Sequence, residues 1–245
     1  GLLIFDLDGT LFRTDICSVR ALESVFRDRS LGTPPTDEWI GLFGQANDSF
    51  VGWLDERAGA GLGATMLDEI ARRERELVPD HGRLFPGARE ALASLRPRVE
   101  QMAICSNGPD DYVRTVVASM GLNGLFDAVR WRREGDRSKA DMVAGLLGQL
   151  PARPVIVIGD RGEDIAAAHA NGALAIGAAY GYGREGELCA ADVVVSSAAE
   201  LPSPSSAVIR GKRHPRPFQA ISGAIFSLHL VRGELPGQGQ TKVRK

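Results

Sequence analysis

Cysteine is scarce in this chain. Three residues in 245, Cys17, Cys105 and Cys189, are widely spaced and odd in number, which argues against a disulfide framework and against a paired-cysteine zinc site. A reducing, cytoplasmic interior is the expected location. Long apolar runs are missing too. Nothing approaches the roughly 20 residues of a membrane-crossing helix, and no signal-peptide pattern is visible. The chain opens on Gly1 rather than Met, so what precedes it is left open. An excess of one charge is also absent. With 29 basic against 31 acidic residues, no net field draws the chain to nucleic acid or to a membrane surface. The four histidines, His81, His169, His214 and His229, lack a second ligand at metal spacing and read as structural or surface groups. These absences leave a globular chain, 44% hydrophobic, long enough for one domain with an insertion or for two small domains.

What is present is concentrated at the start. Leu2-Leu3-Ile4-Phe5 runs straight into Asp6-Leu7-Asp8-Gly9-Thr10. A short apolar run bounded by a turn residue reads as a strand buried on both faces. Asp6 then stands at its carboxyl end, where open α/β sheets place ligands. In an extended segment Asp6 and Asp8 face opposite ways, but a bend at Gly9 can bring both to one ligand. Two carboxylates at the mouth of a buried strand call for a positive partner, and a divalent cation is the simplest.

Further along, 15–26 reads as a helix with Val19, Leu22, Val25 and Phe26 on one face. Residues 37–78 carry only helical patterns and two of the three tryptophans, Trp39 and Trp53. Phe43, Phe50 and the two tryptophans read as the core of this block. From Pro86 onward, helices and strands alternate. Helices are expected from Pro86 to Leu95 and at 110–120, Lys139–Gln149 and 165–171. Strands are expected at 99–105, 126–131, 155–158, 173–176 and 192–195. This alternation predicts an α/β fold, a Rossmann-like doubly wound and mostly parallel sheet, with a small helical cap inserted after the first strand. The expected division is a core of 1–13 and 85–201, a cap of 14–84, and a tail or linker of 202–245. The tail holds one candidate amphipathic helix at 218–231 and a disordered Gly-, Gln- and Lys-rich end.

Three polar clusters fall at other element ends of this scheme: Ser106-Asn107-Gly108, Ser138-Lys139, and Gly159-Asp160 with Asp164. In a parallel sheet the strand carboxyl ends share one edge, so these groups can meet Asp6 and Asp8. Carboxylates for a hard cation, donors for an oxyanion and a balancing lysine form the inventory for phosphoryl transfer.

These four signatures, in this order, resemble the haloacid dehalogenase-like hydrolase superfamily over about residues 2–201. The Pro86-Gly87-Ala88-Arg89 segment, Gly159-Asp160-Arg161 and Tyr180-Gly181-Tyr182-Gly183 are most similar to its phosphoglycolate phosphatase-like branch. The resemblance implies a phosphatase acting on a small phosphorylated metabolite through an aspartyl phosphate. Asp6 is then the nucleophile and Asp8 the general acid and base. Thr10, Ser106, Asn107 and Lys139 bind the phosphoryl group, with Lys139 also holding Asp6 ionised. The implied cofactor is Mg²⁺, held by Asp6, Asp160 and the backbone carbonyl of Asp8, with Asp164 in support. Dehalogenating members lack the second acid, and phosphonate-cleaving members use a lysine of the inserted block. Residues 14–84 contain no lysine. A phosphosugar mutase of the same fold and a catalytically silent, partner-binding member stand as alternatives. Two features depart from the family pattern. Arg13 flanks the first signature where many relatives have a small or acidic residue, and the arginines of Arg130-Trp131-Arg132-Arg133 read as a solvated strand end. Oligomeric state is left open.

Overall fold

A computed structural model describes residues 1–45 and 47–202, together with the backbone of 208–209. Strand β1 (Leu2–Phe5) lies in the interior of the sheet. It pairs in parallel with β2 (Gln101–Ser106) on one side and β4 (Val155–Gly159) on the other. Outside β2 lies β3 (Ala128–Trp131). Outside β4 come β5 (Leu174–Ala178) and β6 (Val193–Val195), all parallel. The two-residue β7 (Val208–Ile209) adds to β6 antiparallel. These two residues fall within the stretch expected to be tail or linker. The candidate helix at 218–231 and the Gly-rich end lie outside the described residues.

The sheet order is β3-β2-β1-β4-β5-β6-β7. The chain moves outward on one side of β1 and then restarts at β4 on the other. The crevice beyond β1 and β4 is therefore the place where a ligand is expected. Burial follows the two-residue strand period. Leu3, Phe5, Met102, Ile104, Ile156 and Ile158 face one layer, built on α5 (Ala88–Leu95) and α6 (Asp110–Ser119). Leu2, Ile4, Ala103, Cys105, Val155 and Val157 face the other, built on α7 (Lys139–Gln149) and α8 (Gly162–Ala170). Helix α5 starts at Ala88 rather than at the expected Pro86, because Gly87 takes a left-handed φ of 81° that no helix accommodates. Helix α8 begins earlier than its apolar pattern suggests, because Asp164 Oδ2 accepts the Arg161 backbone N–H at 3.0 Å and caps the first turn.

Between β1 and α5 the chain makes four helices: α1 (Thr14–Asp28), α2 (Thr36–Ile40), α3 (Asn47–Ala58) and α4 (Gly63–His81). They share their own apolar cluster, with Leu22, Phe26, Trp39, Trp53, Leu54, Met66 and Ile70 at its centre. Trp39 and Trp53 pack with ring centroids 5.4 Å apart. The block leaves and rejoins the sheet domain through a narrow stem. There Arg13 N donates to Arg83 O and Phe85 N to Leu11 O, both at 2.9 Å. Among the described residues no helix is long and apolar enough to cross a membrane.

Candidate active site

The end of β1 turns sharply. Gly9 sits at φ 83°, and a side chain there would run into the Asp160 carboxylate. Gly181 is pressed against Asp160 in the same way. These two glycines let the loops after β1 and β5 close around Asp160, the residue just after β4.

Three carboxylates meet at this point. Asp6, Asp160 and Asp164 each offer an oxygen to one small volume, all within 4.8 Å of one another, and all three are buried. One ammonium answers them. Lys139 Nζ lies 2.5 Å from Asp6 Oδ1 and 2.5 Å from Asp164 Oδ1. It is placed by the first turn of α7, where the Ser138 hydroxyl accepts the Asp141 N–H at 3.2 Å. Burial alone would pull the lysine down, but Asp164 and Asp6 together push its pKa well above the usual lysine range. Burial also pushes Asp6 well above the ordinary carboxylate range; Lys139 opposes this, while Asp164, Asp160 and Asp8 add to it. The expectation that Lys139 holds Asp6 ionised therefore captures one side of a balance, since a single ammonium is shared among three acids. Burial and then Asp164 push Asp160 up to about 7, against the Tyr182 backbone N–H, which donates to it at 2.7 Å. Three carboxylates facing one ammonium form a donor set of hard oxygens suited to a divalent cation.

Asp8 stands apart from that trio. Its Oδ1 accepts hydrogen bonds from the Thr14 hydroxyl at 2.6 Å and the Tyr112 hydroxyl at 2.5 Å. Its Oδ2 faces the Ser106 hydroxyl at 3.3 Å. Ser106 is completely buried, and its Oγ also accepts the Gly108 N–H at 3.0 Å. Asn107 is held from both ends: Arg132 donates to its Oδ1 at 2.6 Å, and its Nδ2 donates to Glu163 at 2.9 Å. Glu163 in turn accepts the Lys139 backbone N–H at 3.2 Å. Thr10 is buried behind the cluster, with its hydroxyl 3.5 Å from Asp160 Oδ1.

Of the arginines at the end of β3, Arg133 is exposed, as a solvated strand end implies, but Arg130 and Arg132 are half-buried and paired. Arg130 makes a two-pronged pair with Asp136 at 2.6 and 2.7 Å, and Arg132 belongs to the Asn107–Glu163 network. Arg133 and Arg114 lie over the Trp131 ring. Arg13 pairs with Asp15 at 2.6 Å.

Above the acids opens a cavity of about 460 Å³. Asp6, Asp8, Asn107, Lys139 and Asp160 form its floor, and residues of the helical block form its roof, among them Trp39, Phe43, Phe50 and Ile70. The block is tied down across it. Arg161 donates to the Phe43 carbonyl at 2.6 Å, and Arg184 donates to the Gly41 carbonyl at 3.0 Å. The Tyr182 hydroxyl donates to Asp15 at 2.5 Å while its ring meets Phe43 edge-on at 5.1 Å. Sequence reasoning named the floor but missed Thr14, Tyr112, Glu163, Arg132 and Tyr182. Only Tyr182, within the Tyr180–Gly183 run, carried a local signal.

The chain is similar to known proteins over most of its length. Residues 3–178 match the family described as haloacid dehalogenase-like hydrolase. The phosphoglycolate phosphatase of Pectobacterium atrosepticum is 31% identical over 217 residues, covering 81% of this chain and 89% of that protein. That of Haemophilus influenzae strain 86-028NP is 29% identical over 198 residues, covering 74% and 86%. Among solved structures, a haloacid dehalogenase-like family hydrolase from Streptococcus pneumoniae superposes with a TM-score of 0.71 at 19% identity, over 82% of this chain and 95% of that one. CbbY from Rhodobacter sphaeroides, in complex with xylulose-(1,5)bisphosphate, superposes with a TM-score of 0.68 at 20% identity over the same shares. The chain belongs to the haloacid dehalogenase-like hydrolases and, within them, to the phosphoglycolate phosphatase-like branch.

Proposed function

We propose that this protein hydrolyses a small phosphomonoester in a Mg²⁺-dependent reaction that passes through a phosphorylated Asp6. The observation that carries the reading is the separation of the two leading acids. Asp6 lies with Asp160, Asp164 and Lys139 in a buried charge cluster. Asp8 lies beside it, bonded to neutral hydroxyls and outside the metal-like trio. A nucleophile needs the first environment, and a proton carrier needs the second.

In the first half-reaction an Asp6 carboxylate oxygen attacks phosphorus and the bond to the leaving oxygen breaks. Asp8 gives that oxygen its proton, so an alcohol departs and Asp6 carries the phosphoryl group. In the second, Asp8 takes a proton from water as the water attacks phosphorus, which frees phosphate and restores Asp6. Lys139, the Ser106 hydroxyl and the Asn107 amide are the groups available to offset charge on the phosphoryl oxygens. When bound, Mg²⁺ supplies positive charge at the phosphoryl group; Asp6, Asp160 and the Asp8 backbone carbonyl would hold it, with Asp164 in support. Residues 14–84 act as a lid on a core of 1–13 and 85–201, opening for substrate and closing to exclude water.

Turnover of p-nitrophenyl phosphate, measured with Mg²⁺ and again after EDTA treatment, tests this. The expected result is hydrolysis that EDTA abolishes and added Mg²⁺ restores. No hydrolysis under any condition would point to a catalytically silent member, and hydrolysis indifferent to EDTA would remove the metal from the scheme.

A further inference from the structure

The roof of the cavity carries one acid that this reaction leaves unused. Glu74 lies on α4, four residues after Ile70 and four before Val78, both fully buried. That spacing puts a carboxyl group on an otherwise apolar stripe. Its Oε1 is shut off from bulk solvent and has no hydrogen-bond partner among the described residues. The residue lines the cavity on the side where Asp8 stands. Burial, and next the Asp8 charge, push its carboxyl up to about 8; Arg75 and the Ser18 hydroxyl act in the opposite direction. An unsatisfied, solvent-shielded oxygen costs stability unless a ligand satisfies it.

The cations around the cavity are committed elsewhere. Arg75 pairs with Asp111 at 3.1 Å, Arg161 with Glu187 at 2.9 Å, and Lys139 with Asp6 and Asp164. Among the described residues lining the cavity, no lysine or arginine lacks an acidic partner. The helical block also lines the cavity with the apolar Phe50, Leu67 and Ile70 and with the polar Ser18 and Asp68.

We propose that Glu74 is a specificity-determining residue that hydrogen-bonds a hydroxyl group on the leaving alcohol, so that the substrate is the phosphomonoester of a neutral polyol and not of a hydroxy acid such as glycolate. The proposal rests on the phosphatase reading above. A hydroxyl suits Glu74 in either protonation state, because it donates to a carboxylate and accepts from a carboxylic acid. A carboxylate on the leaving group would instead meet Asp8 and Glu74 with no free cation to offset it. The apolar side chains take the carbon side of a short polyol.

The test is kcat/KM for p-nitrophenyl phosphate, glycerol 3-phosphate, phosphoglycolate and phosphoethanolamine, in the wild type and in Glu74→Leu and Glu74→Gln. The wild type should favour glycerol 3-phosphate over phosphoglycolate by about tenfold or more. Glu74→Leu should cost glycerol 3-phosphate about 10- to 100-fold and leave the aryl phosphate within about twofold. Glu74→Gln, which keeps a donor and an acceptor, should hold glycerol 3-phosphate within about threefold. Preference of the wild type for phosphoglycolate or phosphoethanolamine, or an equal loss on every substrate in Glu74→Leu, would overturn the proposal. Failure of the Mg²⁺-supplied wild type to hydrolyse even the aryl phosphate would overturn the phosphatase reading as well, and this result is distinct from the others.

Discussion

On the floor of the cavity the acids are matched. Lys139 reaches both Asp6 and Asp164, the Tyr182 backbone N–H serves Asp160, and three hydroxyl groups surround Asp8. On the roof, Glu74 Oε1 has no hydrogen-bond partner among the described residues, and phenylalanine, leucine and isoleucine line the same cavity. The floor is built from strand ends and first helical turns, where backbone geometry fixes each group in place. The roof is built from a helical face of the inserted block, which meets the core through its stem, through Cys17 and Val78 in the core cluster, and through the Arg75–Asp111 pair. The contrast divides the labour. Groups that perform the same chemistry on any substrate are held by one another, and groups that sort substrates are left for the substrate to complete.

The largest effect should come from the floor. Asp6→Asn should lower phosphatase turnover by more than about a thousandfold, since it removes the nucleophile, while circular dichroism stays unchanged. Lys139→Met comes next. It strips the ammonium that Asp6 and Asp164 share, so stability in urea should fall by about 3–5 kcal/mol. Added Mg²⁺ should return part of that loss, because a ligand that binds the folded state stabilises it. If Lys139→Met unfolds at the wild-type midpoint, the charge balance drawn here is wrong.

The ties between roof and floor should matter less. Arg161→Ala removes the hydrogen bond to the Phe43 carbonyl and the pair with Glu187. At about 1 kcal/mol for such a contact, KM should rise several-fold with a smaller change in kcat. A fall in kcat alone would place Arg161 in the chemistry and not in closure.

A pH-dependent effect belongs to Glu74 in the absence of substrate. Its carboxyl is raised from 4.5 in the unfolded chain to about 8 in the fold, chiefly by burial. The folded state therefore binds the proton more tightly than the unfolded state does. Stability drawn from that proton is complete below pH 4.5 and is lost as pH rises toward about 8. Glu74→Gln has no such group. Its thermal midpoint should gain on the wild type steadily across that window and level off above it. A difference independent of pH would mean that Glu74 is solvated.

The sequence discloses the floor far better than the roof. Helix α7 runs over Lys139–Gln149 as the pattern of apolar residues indicates. Strand β1 is interior and parallel, as an uninterrupted apolar run before two acids implies. Those groups are legible because each sits at a chain reversal, where residue type and backbone shape are tied together. Tyr112 and Thr14 reach Asp8 from the first turn of one helix and the start of another, and no local pattern marks a residue that acts across 104 positions. Arg132 sits in a run of arginines that looks solvated until Asn107 and Glu163 are placed beside it. Glu74 is hidden by its neighbours Arg72, Arg73, Arg75 and Glu76, which make the segment look like an ordinary charged face. Only the Ile70–Glu74–Val78 spacing shows a carboxyl on the buried stripe.

The central claim is that Asp6 itself receives the phosphoryl group. Rapid acid quench during steady-state turnover, followed by peptide mass analysis, tests it directly. The account predicts one phosphoryl group on the peptide that carries Asp6, absent in Asp6→Asn and absent when metal is withheld. Full turnover with no phosphorylated Asp6 peptide at any quench time would contradict it.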